Sequence, residues 1–257
     1  MDQPPAQKLL GQHFLRSARV LRQIIAAADL QSGETVLEVG PGRGILTNAL
    51  LATGARVVAV EKDRRLIPLL AEKFAAATSS GQLQLVEADI RDLGLSSVGL
   101  KNNSYSIVAN LPYYLTGQFL RQFLTAAIKP NKMVIMVQAE VAKRIIAADG
   151  RESLLSLSVK VYGQPRLVAT VPAGSFSPPP KVDSAIIKIE NITDKLLHEV
   201  GGKHFFDLIS RGFAHKRKLL KSNLACSEEI LLAGGVGPQA RAEELKLEQW
   251  LCLAQKI

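Results

Sequence analysis

Short apolar runs alternate with longer amphipathic stretches along most of the chain. The run Val36–Val39 is followed by Gly40, Gly42 and Gly44, and then by apolar positions at Ile45, Leu46, Ala49, Leu50 and Leu51. That order predicts a strand, a tight glycine turn and a helix. Buried strands are expected again at Arg56–Val60, Gln82–Ala88, Ser104–Ala109 and Lys132–Val137. Ser17 is placed to cap a helix whose apolar face is Val20, Leu21, Ile24 and Ile25, and Leu66–Phe74 reads as another helix. Such alternation predicts an α/β domain with a parallel sheet. Further on, Leu155, Leu157, Val159 and Val161 alternate, which by period alone is a strand. Arg166–Val171 and Ala185–Ile189 are strand-like and flank a stiff proline-rich loop, Phe176–Asp183. After Glu190 the pattern changes to short helices, expected at 203–224, 226–232 and 239–256. Two domains are therefore expected, 1–190 and 191–257, the first beginning with a polar arm at 1–17.

The polar positions that close the apolar runs carry the first chemical signal. Gly40, Glu61, Asp89 and Asn110 each stand at the carboxyl end of a successive run. In an open α/β sheet that edge is where ligands bind. The glycine turn narrows the ligand. A dinucleotide fingerprint is G-x-G-x-x-G, whereas here the third glycine comes one residue early, Pro41 lies between the first two, and Glu38 precedes them. That form fits S-adenosylmethionine, which carries no phosphate, and it disfavours a nicotinamide dehydrogenase. Glu61 lies 21 residues after Gly40, the place for a carboxylate that accepts from both ribose hydroxyls. Asp89 is either an acceptor for an adenine amino group or a turn cap before Ile90.

Composition adds a partner class. The 257 residues carry a formal charge of +9, which favours a polyanion, nucleic acid first. Arg211, Lys216, Arg217, Lys218 and Lys221 are expected on one helix without an acid among them, as phosphate contacts or as a solvated face. Only Cys226 and Cys252 are present, so neither a disulfide framework nor a Cys-x-x-Cys metal site is expected. No apolar run approaches a membrane span, and the default setting is soluble and cytoplasmic.

Asn110-Leu111-Pro112-Tyr113 carries the reaction chemistry. An exocyclic amine on a base is a poor nucleophile because its lone pair is delocalised into the ring. Accepting both of its N–H bonds holds the nitrogen pyramidal and frees the lone pair. The Asn110 side-chain carbonyl and the Leu111 backbone carbonyl, fixed by Pro112, supply two acceptors, and Tyr113 can stack on a flipped base. Orientation then does most of the catalytic work.

With GQHFL at 11–15, VLEVGPGRGILT, VVAVEKD, EADI, NLPYYL, FSPPPKVDS and HKRKLLKSNL, the chain resembles the KsgA (RsmA) family of rRNA adenine N6,N6-dimethyltransferases essentially end to end. The resemblance implies a Rossmann-like S-adenosylmethionine-dependent methyltransferase sheet with a small all-helical C-terminal domain that binds rRNA. It also implies a helix, not a strand, at 153–162. By the same resemblance, His13 and Leu15 would close over the cofactor. Gly40 would contact its methionine portion, Glu61 its ribose, and Asp89 with the backbone of Ile90 its adenine. Asn110 and Leu111 would hold the target amine, and Tyr113 and Phe176 would sandwich the target base. The implied substrate is a pair of adjacent adenines in the hairpin near the 3′ end of small-subunit rRNA, within a nearly assembled subunit, and a monomer is expected. One departure is His13, where the family's arm usually has asparagine; its titration could make cofactor affinity pH-dependent.

Three alternatives share parts of this pattern. An Erm-type enzyme would act on large-subunit rRNA, a DNA adenine methyltransferase on DNA, and a non-catalytic relative would bind RNA during assembly. The NLPY and PPPKVDS segments favour the small-subunit enzyme, and the intact Asn110, Tyr113 and Phe176 favour retained chemistry.

Overall fold

The computed structural model describes residues 4–7 and 11–257; the rest of the expected arm lies outside the described residues. The strands are β1 (Phe14–Leu15), β2 (Thr35–Val39), β3 (Arg56–Glu61), β4 (Leu83–Glu87), β5 (Tyr105–Asn110), β6 (Lys132–Gln138), β7 (Gln164–Val171), β8 (Phe176–Ser177) and β9 (Ser184–Glu190). Among the described residues, seven of them form one sheet in the order β4-β3-β2-β5-β6-β9-β7. β2 through β6 pair in parallel, and β9 is antiparallel to β6. Successive side chains on a strand face opposite sides. Val36, Val57, Val108 and Val134 are buried on one face, and Leu37, Val58, Ile107 and Ile135 on the other. Both faces are thus covered, which is why these strands read as unbroken apolar runs.

The chain leaves β2 first toward β3 and β4, then returns to lay β5 on the other side. The strand order therefore reverses between β2 and β5, where such sheets bind ligands at their carboxyl edge. Helix Ala18–Ala28 covers one face with Val20, Ile24, Ala27 and Ala28, and Ser17 Oγ caps its start. Helix Ile45–Leu51 starts directly from the glycine turn.

The chain divides into two compact units, 1–142 with 166–192, and 143–165 with 193–257. The expected boundary near residue 190 meets the second division, but 143–165, expected in the first domain, belong with the helical unit. The cause is local pairing. The Glu152 amide donates to the Glu243 carbonyl (2.7 Å) and the Thr193 amide to the Tyr162 carbonyl (2.8 Å). Leu154–Lys160 is a helix, as the resemblance implies and the alternation does not; Ser153 and Ser156 form a capping box at its start.

The long helix expected over 203–224 is broken. Gly202–Gly212 and Leu220–Leu224 are separate helices joined by a turn. Asn223 Nδ2 donates to the Gly212 carbonyl at 2.6 Å, satisfying the first helix's exposed end. Trp250 is fully buried in this unit and stacks on Phe213 (centroids 5.7 Å apart).

Candidate active site

A cleft opens at the carboxyl edge of β2, β3, β4 and β5 and is lined by Gly40, Glu61, Asp89 and Asn110, one from each strand end. The four polar run-ends thus converge on one cavity. His13, Ile90, Leu111 and Tyr113 line it too.

At the glycine turn, a Cβ on Gly40 would meet nothing within 4 Å, and its φ is +70°. The position faces open space, as a backbone approached by a ligand must. Gly42 has another partner: its amide donates to Glu61 Oε2 at 3.0 Å. Glu61 Oε1 accepts from the Asp63 amide at 2.8 Å. Burial pushes the Glu61 carboxyl above its ordinary pKa, and these amides oppose the shift. The carboxylate is therefore fixed in place, with lone pairs left for further donors.

Asp89 is held by Arg91, whose Nη2 lies 2.5 Å from Oδ2, and by Lys62 at 2.8 Å. The Arg91 guanidinium foremost, then Lys62, keeps Asp89 ionised to well below the usual carboxylate range. Two cations thus share this one carboxylate at the rim. Gln122 Nε2 donates to the Ile90 carbonyl at 2.8 Å and pins the loop after β4.

Asn110 is oriented by the arm. Its Nδ2 donates to the His13 backbone carbonyl at 3.1 Å, which leaves Oδ1 as the acceptor of the amide. That contact uses backbone, so histidine in place of asparagine at 13 preserves it. The His13 ring stacks on Tyr113 (centroids 5.9 Å, 23° between planes), and its Nδ1 meets the Pro178 carbonyl at 2.8 Å. The Tyr113 hydroxyl bonds Ser184 Oγ at 2.7 Å.

The arm is tied to the cleft at a second point that the sequence did not signal. Gln12 Nε2 donates to Asp63 Oδ2 at 2.8 Å, and Asp63 also accepts from Arg65. The Arg65 guanidinium holds the Asp63 carboxyl far below its ordinary range. Phe14 packs beneath the Arg43 guanidinium, 4.4 Å from its ring centroid. Gln12, Lys62, Arg91 and Tyr114 line the cleft as well and carried no motif of their own.

Leu15 and Phe176 do not line this cleft; they pair with each other across the β1–β8 ladder and are buried, Phe176 to 4 % exposure. Leu15 instead borders a smaller hollow that shares Gly40 and Asn110 with the cleft. Phe176 is core, because the proline loop folds β8 onto the arm. The five expected phosphate contacts do not share one helix. Arg211 lies on Gly202–Gly212, Lys221 on Leu220–Leu224, and Lys216, Arg217 and Lys218 in the turn between. Arg211 Nη2 donates to the Leu224 carbonyl at 2.5 Å, and Lys221 pairs with Glu228 at 2.5 Å.

The profile of the family described as ribosomal RNA adenine dimethylase matches residues 5–257. The chain belongs to that family. It is 46% identical to "Ribosomal RNA small subunit methyltransferase A" of Dehalococcoides mccartyi over 96% of this chain and 88% of that protein. A relative of the same name from Thermosynechococcus vestitus is 40% identical, covering 98% and 97%. Among solved structures, the 23S rRNA methyltransferase ErmE is similar with a TM-score of 0.76 at 26% identity, covering 95% of this chain and 98% of that one. A dimethyladenosine transferase from Plasmodium falciparum shares the fold, with a TM-score of 0.78, 24% identity and coverage of 94% and 96%. The family membership makes the Rossmann-like sheet a methyltransferase sheet and the chain an rRNA methyltransferase.

Proposed function

We propose that this enzyme uses S-adenosylmethionine to dimethylate N6 of two adjacent adenines in the hairpin near the 3′ end of small-subunit rRNA, in a nearly assembled subunit. The observation that carries the chemistry is the orientation of Asn110 by the His13 carbonyl. A planar aromatic amine presents two N–H donors. Asn110 Oδ1 accepts one and the Leu111 carbonyl the other, so the nitrogen pyramidalises and its lone pair turns out of the ring. Tyr113, anchored through its hydroxyl to Ser184, stacks on the base. Because Phe176 is buried, Tyr113 is the expected platform that lines the cleft. The proton leaves only after nitrogen has become a strongly acidic ammonium, so no strong base is required.

The cofactor fits the groups present. The space at Gly40 takes a ligand against the backbone. Glu61 has the fixed, buried carboxylate that a ribose diol requires, and Asp89 is an acceptor for an adenine amine once Arg91 shares it. Bound there, S-adenosylmethionine supplies an electrophilic sulfonium methyl. The names of the relatives support the small subunit over the large.

The test is transfer of tritiated methyl from S-adenosylmethionine to small subunits lacking these methyl groups, with large subunits and naked rRNA in parallel. Label confined to two adjacent adenines of the small-subunit rRNA, two methyls on each, is the expected result. Label in large-subunit rRNA would move the enzyme to the Erm activity. Cofactor binding without transfer to any of the three would favour an assembly role.

A further inference from the structure

A second aromatic stands beside the base platform. Tyr114 follows Tyr113 in the short turn Tyr113–Leu115 and lines the same cleft. At 57 % exposure it is the one aromatic among the large exposed apolar side chains of the described residues. A Cβ on Gly11 would lie 3.4 Å from Cε1 and 3.5 Å from Cδ1, so one edge of the ring lies close to the arm at Gly11. More than half of the residue is nonetheless exposed. An exposed ring in a cleft is the stacking platform that single-stranded nucleic acid uses.

The surroundings identify the occupant as a nucleotide. Lys62 and Arg91 line the cleft beside Tyr114, where they share the carboxylate of Asp89. Cations at this rim suit a phosphodiester. Tyr113 and Tyr114 are consecutive and line the same cleft, so a strand with one base at Tyr113 has its neighbouring nucleotide within reach of Tyr114. We propose that Tyr114 stacks on the base adjoining the flipped adenine, giving the site a second nucleotide subsite. This rests on the reading of an rRNA adenine as substrate. It gives a physical role to the second of two adjacent adenines, which waits on Tyr114 while the first occupies the Tyr113 site.

The test compares Tyr114→Ala and Tyr114→Phe with wild type in steady-state transfer to unmethylated small subunits. Cofactor affinity by calorimetry and melting temperature serve as controls. Loss of one stacked base predicts a rise in KM for subunits of about tenfold in Tyr114→Ala. Cofactor affinity should stay unchanged, and Tyr114→Phe should behave as wild type because the ring suffices. A KM in Tyr114→Ala equal to wild type would overturn the proposal. So would a phenylalanine variant as impaired as the alanine one, or a parallel loss of cofactor affinity. If wild-type enzyme transferred nothing to subunits, the rRNA reading itself would have failed. Co-sedimentation of each variant with subunits would then test the stacking by itself, equal binding counting against it.

Discussion

Asn110 separates holding from binding. Replacing it with alanine removes the acceptor proposed for the amine and the donor to the His13 carbonyl. A preorganised hydrogen-bond partner at a reacting group is typically worth about a hundredfold or more in kcat. Asn110→Ala should therefore lower single-turnover transfer by at least about that factor while cofactor affinity changes far less. Glu61→Ala should do the reverse, because it removes the acceptor proposed for the ribose. Leaving the ribose hydroxyls without that partner costs about 2 kcal/mol, or roughly thirtyfold in cofactor affinity measured by calorimetry. Equal effects of the two substitutions on affinity would refute the division of roles. Glu38 makes a different residue-scale prediction. It is 1 % exposed. Burial raises its pKa from 4.5 to about 8, and Thr47 beside it, through its hydroxyl and its amide, opposes the shift. The folded protein thus keeps a proton that the unfolded chain releases near pH 4.5, so this group's contribution to stability falls as pH rises from about 4.5 to about 8. Glu38→Gln removes the titration. Its melting temperature should gain on wild type progressively between pH 5 and pH 8; a constant difference would show that Glu38 ionises freely in the fold.

At the scale of elements, the glycine turn joins strand, cofactor edge and helix through residues that look alike in sequence. Gly40 and Gly44 both have positive φ, at 70° and 72°. A Cβ on Gly40 would meet nothing within 4 Å, whereas one on Gly44 would lie 2.5 Å from Phe74 Cε2 and 3.0 Å from Leu70 Cδ2. Alanine at either position pays the left-handed backbone penalty of about 1–2 kcal/mol. Gly44→Ala should add an overpacking loss of about 1–3 kcal/mol in denaturant unfolding. Gly40→Ala should lose cofactor binding at a stability cost no larger than the backbone penalty. Comparable unfolding midpoints for both would contradict this assignment. The motif was legible because glycine spacing is a local signal, while the distinct duties of its glycines depend on Phe14, Leu70 and Phe74, far away in the chain. The same contrast runs through the fold. β2, β3, β5 and β6 were legible because each is buried on both faces, and the edge strand β4 because its apolar residues alternate with polar ones. Helix Leu154–Lys160 carries apolar residues at alternate positions, and its capping serines, not its period, mark it as helical. Phe176 sits next to prolines that suggest an exposed loop, and only the β1–β8 pairing reveals that it is core. The Gln12–Asp63 contact spans 51 residues and leaves no local trace.

For the whole molecule, the charge of +9 becomes specific only when its cations are sorted by partner. Of the five basic residues in the helical unit, Arg211 is spent on the Leu224 carbonyl and Lys221 on Glu228. Lys216, Arg217 and Lys218 lie exposed in the turn after Gly202–Gly212. Phosphate contacts release counterions, so each one steepens the fall of affinity with salt by about 0.7–0.9 in a log–log plot. If the turn meets rRNA phosphates, replacing Lys216, Arg217 and Lys218 together by alanine should flatten that slope by about 2 to 3. The fold should be unharmed, since all three residues are exposed. Arg211→Ala with Lys221→Ala should change the slope less, because Lys221 is neutralised by Glu228 and the Arg211 guanidinium is held on the Leu224 carbonyl. It should instead lower the melting temperature, chiefly through the lost Arg211 cap on the Leu224 carbonyl. Subunit binding titrated from low to physiological salt reads both variants on one scale. A slope unchanged in the triple variant would move the phosphate contacts off this turn and onto other basic residues such as Lys62 and Arg91 at the cleft rim. A slope flattened equally in the double variant would mean that Arg211 and Lys221 exchange their protein partners for phosphate on binding.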